Sequence, residues 1–209
     1  MLQVNALAVG PVLANCYIIS NPKNHEALIV DPGAEPTTLI RRIEELEVQP
    51  VAILLTHAHY DHIGAVDALR DRYEIPVYLS AEEEEWLSHP NKNLSAMLGE
   101  AVTARPAEYL FKPEEILEIA DFSFKVVATP GHSPGGVSLI FEDNEFVMTG
   151  DALFAGSVGR TDLPGSEPKK LIPNVRQKLF TLPPSFKIYP GHGEPSTLAH
   201  EMNTNPFFN

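Results

Sequence analysis

The sequence has little cysteine and no long apolar run, and each shortage excludes a class of protein. Cys16 is the single cysteine among 209 residues, which excludes an intrachain disulfide and a Cys-based zinc finger. No apolar run approaches the ~20 residues that cross a bilayer. The first residues also lack the basic region of a signal peptide, so we expect a cytoplasmic protein.

Positive charge is scarce as well. Lys and Arg number 15 against 28 Asp and Glu, which gives a formal net charge of −13. Nucleic-acid binding draws most of its affinity from neutralising phosphates with Lys and Arg, and anionic membranes attract the same residues. Because no basic stripe is present, we expect neither a nucleic-acid partner nor adhesion to a membrane surface.

Apolar residues, by contrast, are abundant enough to form a core. They make up 44% of the chain and charged residues 21%, which predicts one folded domain over residues 1–209. Strand-like and helix-like runs alternate, and this predicts an α/β fold with mixed sheets. The predicted strands are 2–9, 16–20, 27–31, 51–55, 77–79, 116–119, 122–128, 136–141, 145–149 and 186–189, and the predicted helices are 37–47, 63–73, 81–88, 94–98, 169–182 and 197–203.

Four of the predicted strands end in a turn that carries histidine or aspartate. Ligands of α/β proteins bind at the carboxyl ends of strands, so we expect these side chains to converge if the strands are neighbours. The four turns supply seven such residues: His57, His59, Asp61 and His62 after strand 51–55, His132 after strand 122–128, Asp151 after strand 145–149, and His192 after strand 186–189.

The composition of these turns predicts a metal centre. Five of the eight histidines lie in them, whereas His25, His89 and His200 lie in polar surroundings without such a frame. Imidazole and carboxylate suit zinc, iron or manganese. Seven ligands are too many for one tetrahedral zinc ion, which takes four, but they suit two ions that share a carboxylate. A closed, non-catalytic metal module is therefore disfavoured.

The same residues resemble the signature of the metallo-β-lactamase superfamily, T-H-x-H-x-D-H followed by a lone His, a lone Asp and a final His. Asn15-Cys16-Tyr17 and the stretches 131–135, 159–165 and 205–208 are similar to hydroxyacylglutathione hydrolases (glyoxalase II) and their short bacterial relatives. The resemblance implies an αββα sandwich, in which two mixed β-sheets are flanked by helices.

The resemblance also implies how the ions are held. The seven ligands divide into two sets with one shared member: His57, His59 and His132 on one ion, Asp61, His62 and His192 on the other, and Asp151 on both. Zinc is the expected metal, with iron and manganese as alternatives. Asp61 would also orient the attacking nucleophile. Asp31 matches a buried aspartate that steadies the metal loop, the alternative being a plain turn residue before Pro32.

Thioester hydrolysis is the activity that this chemistry favours. Two divalent ions lower the pKa of a bridging water from 15.7 toward ~7, and the resulting hydroxide attacks an acyl carbon. A thiolate leaves without a strong general acid because its pKa is ~8.5, whereas an amide nitrogen must be protonated as it leaves. The net positive charge of such a centre suits an anionic small-molecule substrate. Asp151 points away from β-lactams, since antibiotic-hydrolysing relatives often carry another ligand there.

The residues that contact the substrate are less defined. Arg160 and Lys169 could bind a carboxylate, or they could form an ion pair and a solvated helix start, and Tyr60 either lines the pocket or packs. Hydroxyacylglutathione hydrolases hold glutathione with basic residues in a C-terminal helical region, but no Lys or Arg follows His192. The identity of the thiol that carries the acyl group is therefore left open. The glutamates at 82–85 are expected to form a solvated first helical turn, and Cys16 is expected in the core.

A different reaction on the same fold is the main alternative. Persulfide dioxygenases share the Gly-Arg-Thr-Asp stretch, and they hold one iron with the residues matching His57, His132 and Asp151. Because the ligands of the second site are present in both groups, the sequence does not separate the two activities. Cleavage of RNA or another phosphodiester is disfavoured by the net charge of −13.

Overall fold

Two six-stranded β-sheets pack face to face in the computed structural model, which describes residues 1–209. In the first sheet the strands follow chain order: β1 (Gln3–Val9), β2 (Ala14–Ser20), β3 (Glu26–Val30), β4 (Gln49–Leu54), β5 (Val77–Ser80) and β6 (Tyr109–Phe111). The second sheet contains β7 (Ile116–Ile119), β8 (Phe122–Ala128), β9 (Val137–Phe141), β10 (Phe146–Gly150), β11 (Lys187–Pro190) and β12 (Ser196–Thr197), again with sequence neighbours side by side. The helices are α1 (Pro36–Glu45), α2 (Tyr60–Ile63), α3 (Val66–Tyr73), α4 (Pro168–Lys178) and α5 (Leu198–Thr204).

Both sheets are mixed. In the first sheet β3, β4, β5 and β6 run parallel, while β1, β2 and β3 pair antiparallel. In the second sheet β10 and β11 are parallel and the other pairs are antiparallel. Parallel strands need helical crossovers, so helices lie on the outer faces.

Three buried clusters fill the spaces between these layers. The clusters lie between the two sheets, between the first sheet and helices α1 and α3, and between the second sheet and helices α4 and α5. Strand β2 contributes to two of these clusters because its side chains alternate between the two faces of the sheet. Tyr17 and Ile19 face the other sheet, whereas Cys16 and Ile18 face the helices. The αββα sandwich of two mixed sheets is therefore confirmed, and Cys16 lies in the core.

The strands that precede the predicted ligands have their carboxyl ends close together, because the two sheets are joined there by backbone hydrogen bonds. The Val137 amide at the start of β9 donates to the Thr56 carbonyl just after β4, at 2.9 Å, which ties one sheet to the other. The Asn15 amide in β2 donates to the Gly191 carbonyl just after β11, at 2.7 Å. These bonds bring the loops after β4, β8 and β11 to one edge of the sandwich.

The structure departs from the sequence-based elements in a few places. The helix predicted over 63–73 is two helices, α2 and α3, because Gly64 packs against the Gly33 backbone, and its amide donates to the Gly33 carbonyl at 3.0 Å. The short strands β6 and β12 were not predicted. The segment Ala81–Ser88 is a 3₁₀ helix, and it is not a simple solvated turn, as described below. None of the helices is long and apolar enough to cross a membrane.

Candidate metal centre

The seven predicted ligands come together at the edge where the strands end. His57, His59 and His132 each offer a ligand atom, and these atoms lie within 4.8 Å of one another. Asp61, His62 and His192 form a second group by the same measure. The two groups are the sets that the sequence resemblance implies.

The first group is buried and tightly packed. His59 Nδ1 lies 2.9 Å from His132 Nε2, so these two nitrogens face the same point. The opposite nitrogen of His132, Nδ1, lies 2.8 Å from the Arg160 carbonyl, which fixes this nitrogen as the donor. His132 then presents an unprotonated Nε2 to the centre, which is the form that a metal binds.

The second group is more open and is oriented in the same way. His192 Nε2 lies 3.2 Å from Asp61 Oδ2, and His62 Nε2 lies 3.7 Å from the same oxygen. The Nδ1 atoms on the other side of both rings face acceptors, Asp31 Oδ2 at 3.0 Å for His62 and the Val12 carbonyl at 3.2 Å for His192. Both imidazoles therefore direct Nε2 inward.

Asp151 lies between the two groups. Its Oδ2 atom is 3.3 Å from His132 Nε2 and 3.6 Å from His192 Nε2, and its Oδ1 atom is 3.6 Å from His62 Nε2. One carboxylate thus faces ligand atoms of both sets, as a bridging ligand must.

Unpaired buried atoms show that the residues fit metal ions. Four atoms of the ligand residues are buried without any hydrogen-bond partner: His57 Nε2, His59 Nε2, His62 Nε2 and Asp151 Oδ1. Buried polar atoms in folded proteins nearly always have a partner, so four in one cluster need an explanation. Imidazole nitrogens and carboxylate oxygens are ligands for zinc, iron or manganese, and two cations here would satisfy His57 Nε2, His62 Nε2 and Asp151 Oδ1. His59 faces His132 with its other nitrogen, Nδ1.

The surroundings of three predicted ligands favour the protonation states that bind a metal, which are neutral imidazole and ionised carboxylate. Burial, and then the neighbouring imidazoles, hold the pKa of His57 well below its usual range and lower that of His59 to about 3. Burial opposes ionisation of Asp61, but His62 and His192 outweigh it and keep the Asp61 pKa low. His57 and His59 are therefore neutral imidazoles at neutral pH, and Asp61 is an ionised carboxylate.

His62 and His192 are the exceptions among these ligands. Burial lowers the pKa of His192, but Asp61 and Asp151 outweigh burial and raise it above its ordinary value. The same balance holds at His62. Burial disfavours its protonated form, but Asp61, Asp151 and Asp31 outweigh burial and raise its pKa to about 10. A cation that binds between these carboxylates would take over their attraction and displace the proton.

Asp31 supports the centre from beneath the metal loop. Its side chain is 1% exposed, and it accepts hydrogen bonds from the Thr56 amide at 2.8 Å and the Thr56 hydroxyl at 2.6 Å. It also accepts from His62 Nδ1. The carboxylate therefore joins the start of the loop to a predicted ligand, which a plain turn residue before Pro32 would not do.

The turn that carries His192 is held by Asn15. The Asn15 side-chain amide donates to the Pro190 carbonyl at 3.0 Å and to the Gly193 carbonyl at 2.8 Å, on either side of the turn. Gly191 leaves room for the close approach, since a Cβ atom there would lie 2.0 Å from Asp151 Oδ1.

Sequence reasoning missed the role of Glu83. The structure corrects the expectation that all four glutamates at 82–85 are solvated: Glu82, Glu84 and Glu85 are exposed, but Glu83 is completely buried. Its Oε2 atom accepts from the Ala58 amide at 2.6 Å, and its Oε1 atom accepts from the Gly135 amide at 2.8 Å. Glu83 thus connects the loop of His57 and His59 to the loop of His132. Nothing in four consecutive glutamates distinguishes the buried one.

The centre forms the floor of an open cavity of about 450 Å³, which Tyr60 and Arg160 also line. Arg160 is exposed and makes two bonds to Asp162, at 2.8 and 2.9 Å, so it forms an ion pair. Lys169 is an exposed residue of α4 and does not line the cavity.

Comparison with known sequences finds relatives along nearly the whole chain. The sequence profile described as the metallo-beta-lactamase superfamily matches residues 9–192. A Streptococcus pyogenes protein named a probable metallo-hydrolase is 48% identical over 200 residues, which cover 93% of this chain and 85% of that protein. Hydroxyacylglutathione hydrolase GloC of Haemophilus influenzae is 34% identical over 210 residues, which cover 100% of this chain and 99% of GloC.

Solved structures agree with this fold. BLEG-1, described as a B3 metallo-beta-lactamase, matches with a TM-score of 0.95 and 43% identity over 99% of both chains. TTHA1623, solved in a di-iron-bound form, matches with a TM-score of 0.86 and 36% identity over 97% of this chain and 99% of that chain. ETHE1 from Myxococcus xanthus matches with a TM-score of 0.79 and 26% identity over 98% of this chain and 83% of that chain.

Proposed function

The chain belongs to the metallo-β-lactamase superfamily, and on that premise we propose that it is a dinuclear metallohydrolase that cleaves a thioester. One observation carries the proposal: two groups of three ligands, with Asp151 facing both, form the floor of an open cavity. A structural metal site is closed by four protein ligands, whereas a catalytic site keeps positions open to water and substrate.

Each ligand set would hold one divalent ion, and zinc is the metal that we propose. The di-iron form of TTHA1623 keeps iron as an alternative, and manganese suits the same ligands. When bound, the two ions would lower the pKa of water and stabilise negative charge on a carbonyl oxygen.

The protein residues prepare this site for hydrolysis. Asp31, the Val12 carbonyl and the Arg160 carbonyl hold the Nδ1 protons of His62, His192 and His132, which leaves each Nε2 free to bind metal. In our proposal Asp61, with 15% of its side chain exposed, faces the cavity and orients the water that attacks. Water adds to the acyl carbon, the carbon–sulfur bond breaks, and the products are a carboxylate, a thiol and one proton.

The leaving group favours a thioester over an amide. The cavity lining offers Tyr60, Ser157 and Arg160 as its polar side chains apart from the ligands. The pKa of Tyr60 is raised by burial and by Asp61, so its phenol is a weak acid. A thiolate of pKa ~8.5 leaves without a proton donor, whereas an amide nitrogen needs one. The resemblance to GloC supports the same class of substrate.

We further propose that the substrate is a small anionic thioester, attracted by the positive charge of two ions, and that the protein acts in the cytoplasm. With a net charge of −13 the chain gives no reason to expect nucleic acid or an anionic membrane as a partner.

Persulfide dioxygenation is the second candidate, and the resemblance to ETHE1 is the observation that favours it. In this reading one iron would be held by His57, His132 and Asp151, and Asp151 Oδ2 lies 3.3 Å from His132 Nε2. The second group of Asp61, His62 and His192 does not decide between the two reactions, because persulfide dioxygenases carry the matching residues too. Metal content and oxygen uptake separate them.

A substrate panel on protein of measured metal content tests the proposal. Thioesters, a persulfide with an oxygen electrode, and a β-lactam are assayed with the zinc, iron and manganese forms. We expect thioester hydrolysis, lost in Asp61→Ala and kept in Lys169→Ala, which changes an exposed residue outside the cavity. Oxygen uptake with a single iron, or β-lactam cleavage without thioester cleavage, would contradict the proposal.

A further inference from the structure

The wall of the cavity has a different character from its floor. The floor consists of predicted ligands, but the wall is apolar, with these side chains at its surface: Val12, Leu94, Met97, Leu98, Phe154 and Leu163. Arg160 is the one cation of the lining, and Asp162 already neutralises it. A polar, multiply charged group such as a peptide thiol would find no free cation on this wall.

Several of these apolar side chains are exposed to an unusual degree. Met97 is 68% exposed, Leu98 52% and Val12 43%. Large apolar side chains that cluster at the mouth of a cavity mark a ligand-binding surface. Single exposed apolar residues are common, so it is the shared position beside the metal centre that gives these their meaning.

The segment that carries Met97 and Leu98 is firmly anchored. Asn93 is completely buried, and its side-chain amide donates to the Trp86 carbonyl at 3.0 Å and to the Val102 carbonyl at 2.9 Å. Ser95 is also completely buried, and its hydroxyl accepts from the Val102 amide at 3.0 Å. The exposed side chains therefore project from a short 3₁₀ helix, Ser95–Leu98, whose start is fixed by buried hydrogen bonds.

This anchor also joins the apolar wall to the metal loop. The Tyr60 amide, at the start of α2, donates to the Asn93 carbonyl at 2.9 Å. Leu94, the next residue, has a φ of 72°, a left-handed conformation that is unfavourable for a leucine. Backbone strain of this kind persists where the surroundings impose it, and it is frequent at ligand sites. The position of the apolar wall is thus fixed relative to Asp61 and His62, which follow Tyr60 in α2.

We propose that this wall binds the aliphatic acyl chain of the substrate, so that the preferred substrates are thioesters of unbranched fatty acids rather than of small hydroxy acids. The inference rests on the proposed thioester hydrolysis and adds the acyl class. With the scissile carbonyl over the ligands, the acyl chain runs along Met97, Leu98 and Val12. Each methylene that leaves water there raises kcat/KM about fourfold, until the chain outgrows the cavity.

An acyl series on one thiol tests the inference. Acetyl, propionyl, D-lactoyl, butyryl, hexanoyl and octanoyl thioesters of 3-mercaptopropionate, an anionic thiol, are compared with the metal-loaded protein. Propionyl and D-lactoyl differ by one hydroxyl group, so the pair isolates polarity from size. We expect kcat/KM to rise with chain length and propionyl to exceed D-lactoyl. A flat series, or a preference for D-lactoyl, overturns the inference while leaving thioester hydrolysis intact; failure to cleave any member overturns the proposed function itself.

Substitutions in the wall locate the effect. Met97→Gln and Leu98→Asn place polar groups on exposed positions where folding is not at risk, and we expect each to lower the octanoyl-to-acetyl ratio of kcat/KM several-fold. Ile116→Gln is the matched control, because Ile116 is also 68% exposed but lies on β7, outside the cavity. An unchanged ratio in both wall variants, or an equal fall in the control, contradicts the assignment of this wall.

Discussion

Glu83 offers a demanding test of how the centre is built, because its carboxylate joins two ligand loops without contacting a metal. Glu83→Ala removes the acceptor of the Ala58 and Gly135 amides, and both are left unpaired in the interior. An unpaired buried donor costs about 1–3 kcal/mol, so the free energy of unfolding should fall by about 2–6 kcal/mol. The lost burial cost of the carboxylate itself offsets part of this fall.

Glu83→Gln separates the hydrogen bonds from the charge. In this variant one carbonyl oxygen remains as an acceptor, but the NH₂ group that replaces the other oxygen directs donors at a backbone N–H. We therefore expect the free energy of unfolding to fall, but by less than in Glu83→Ala. Burial raises the pKa of Glu83 above its ordinary 4.5. The folded state then binds the proton more tightly than the unfolded state. The stability advantage of Glu83 over Gln should therefore shrink as the pH rises from 4.5 through the folded pKa.

Urea unfolding of metal-free protein measures both effects without a contribution from metal affinity. Glu84→Gln is the matched control, since Glu84 is the exposed neighbour, and it should stay within about 0.5 kcal/mol of the parent chain. Zinc titration of the folded variants should show weaker binding for Glu83→Ala only. If Glu83→Ala unfolds at the same urea concentration as Glu84→Gln, the Glu83 carboxylate does not hold the two ligand loops together.

Three further outcomes follow from the site. Chelation should lower Tm by about 10–20 °C, because each of two ions at a hundred times its Kd contributes about 2.7 kcal/mol. An unchanged melting curve would argue against metal in the native fold. Asp31→Asn places an amide donor against His62 Nδ1 and should weaken metal binding about 10–100-fold. Competition with a chromophoric chelator measures the affinity. Asp162→Asn is the control and should leave the affinity unchanged. Cys16 is fully buried, and burial raises its pKa, so Ellman's reagent should label it only after unfolding; fast labelling of native protein at pH 8 would contradict the core position.

The sequence predicts the superfamily and the fold because their signals are local and repeated. Buried strands end in short turns that carry His and Asp, and each turn alone is a weak signal, but four together specify one edge of a sandwich. Both the αββα fold and the superfamily are confirmed by the structure and its relatives. The ligand roles stay predictions, although the structure brings all seven side chains together.

What the sequence could not predict depends on contacts between distant segments. Glu83 and its three glutamate neighbours are chemically identical, and only the path of a 3₁₀ helix decides which one is buried. Asn93 precedes the predicted helix 94–98 and Ser95 lies in it, but that pattern does not show that their side chains hold the cavity wall through residues up to nine positions away. The resemblance predicts that Asp31 is buried beneath the metal loop, with a plain turn residue as the alternative, but its bonds to Thr56 and His62 require the strands to be assembled.

The central claim is that two ligand sets hold two metal ions around Asp151, and metal stoichiometry tests it most directly. Protein saturated with zinc and freed of excess metal is analysed by inductively coupled plasma mass spectrometry. We predict two ions per chain in the parent protein, and one per chain in a His192→Ala variant that keeps the first set. A single ion per saturated parent chain, unchanged in His192→Ala, would contradict the dinuclear centre and the hydrolytic chemistry proposed for it.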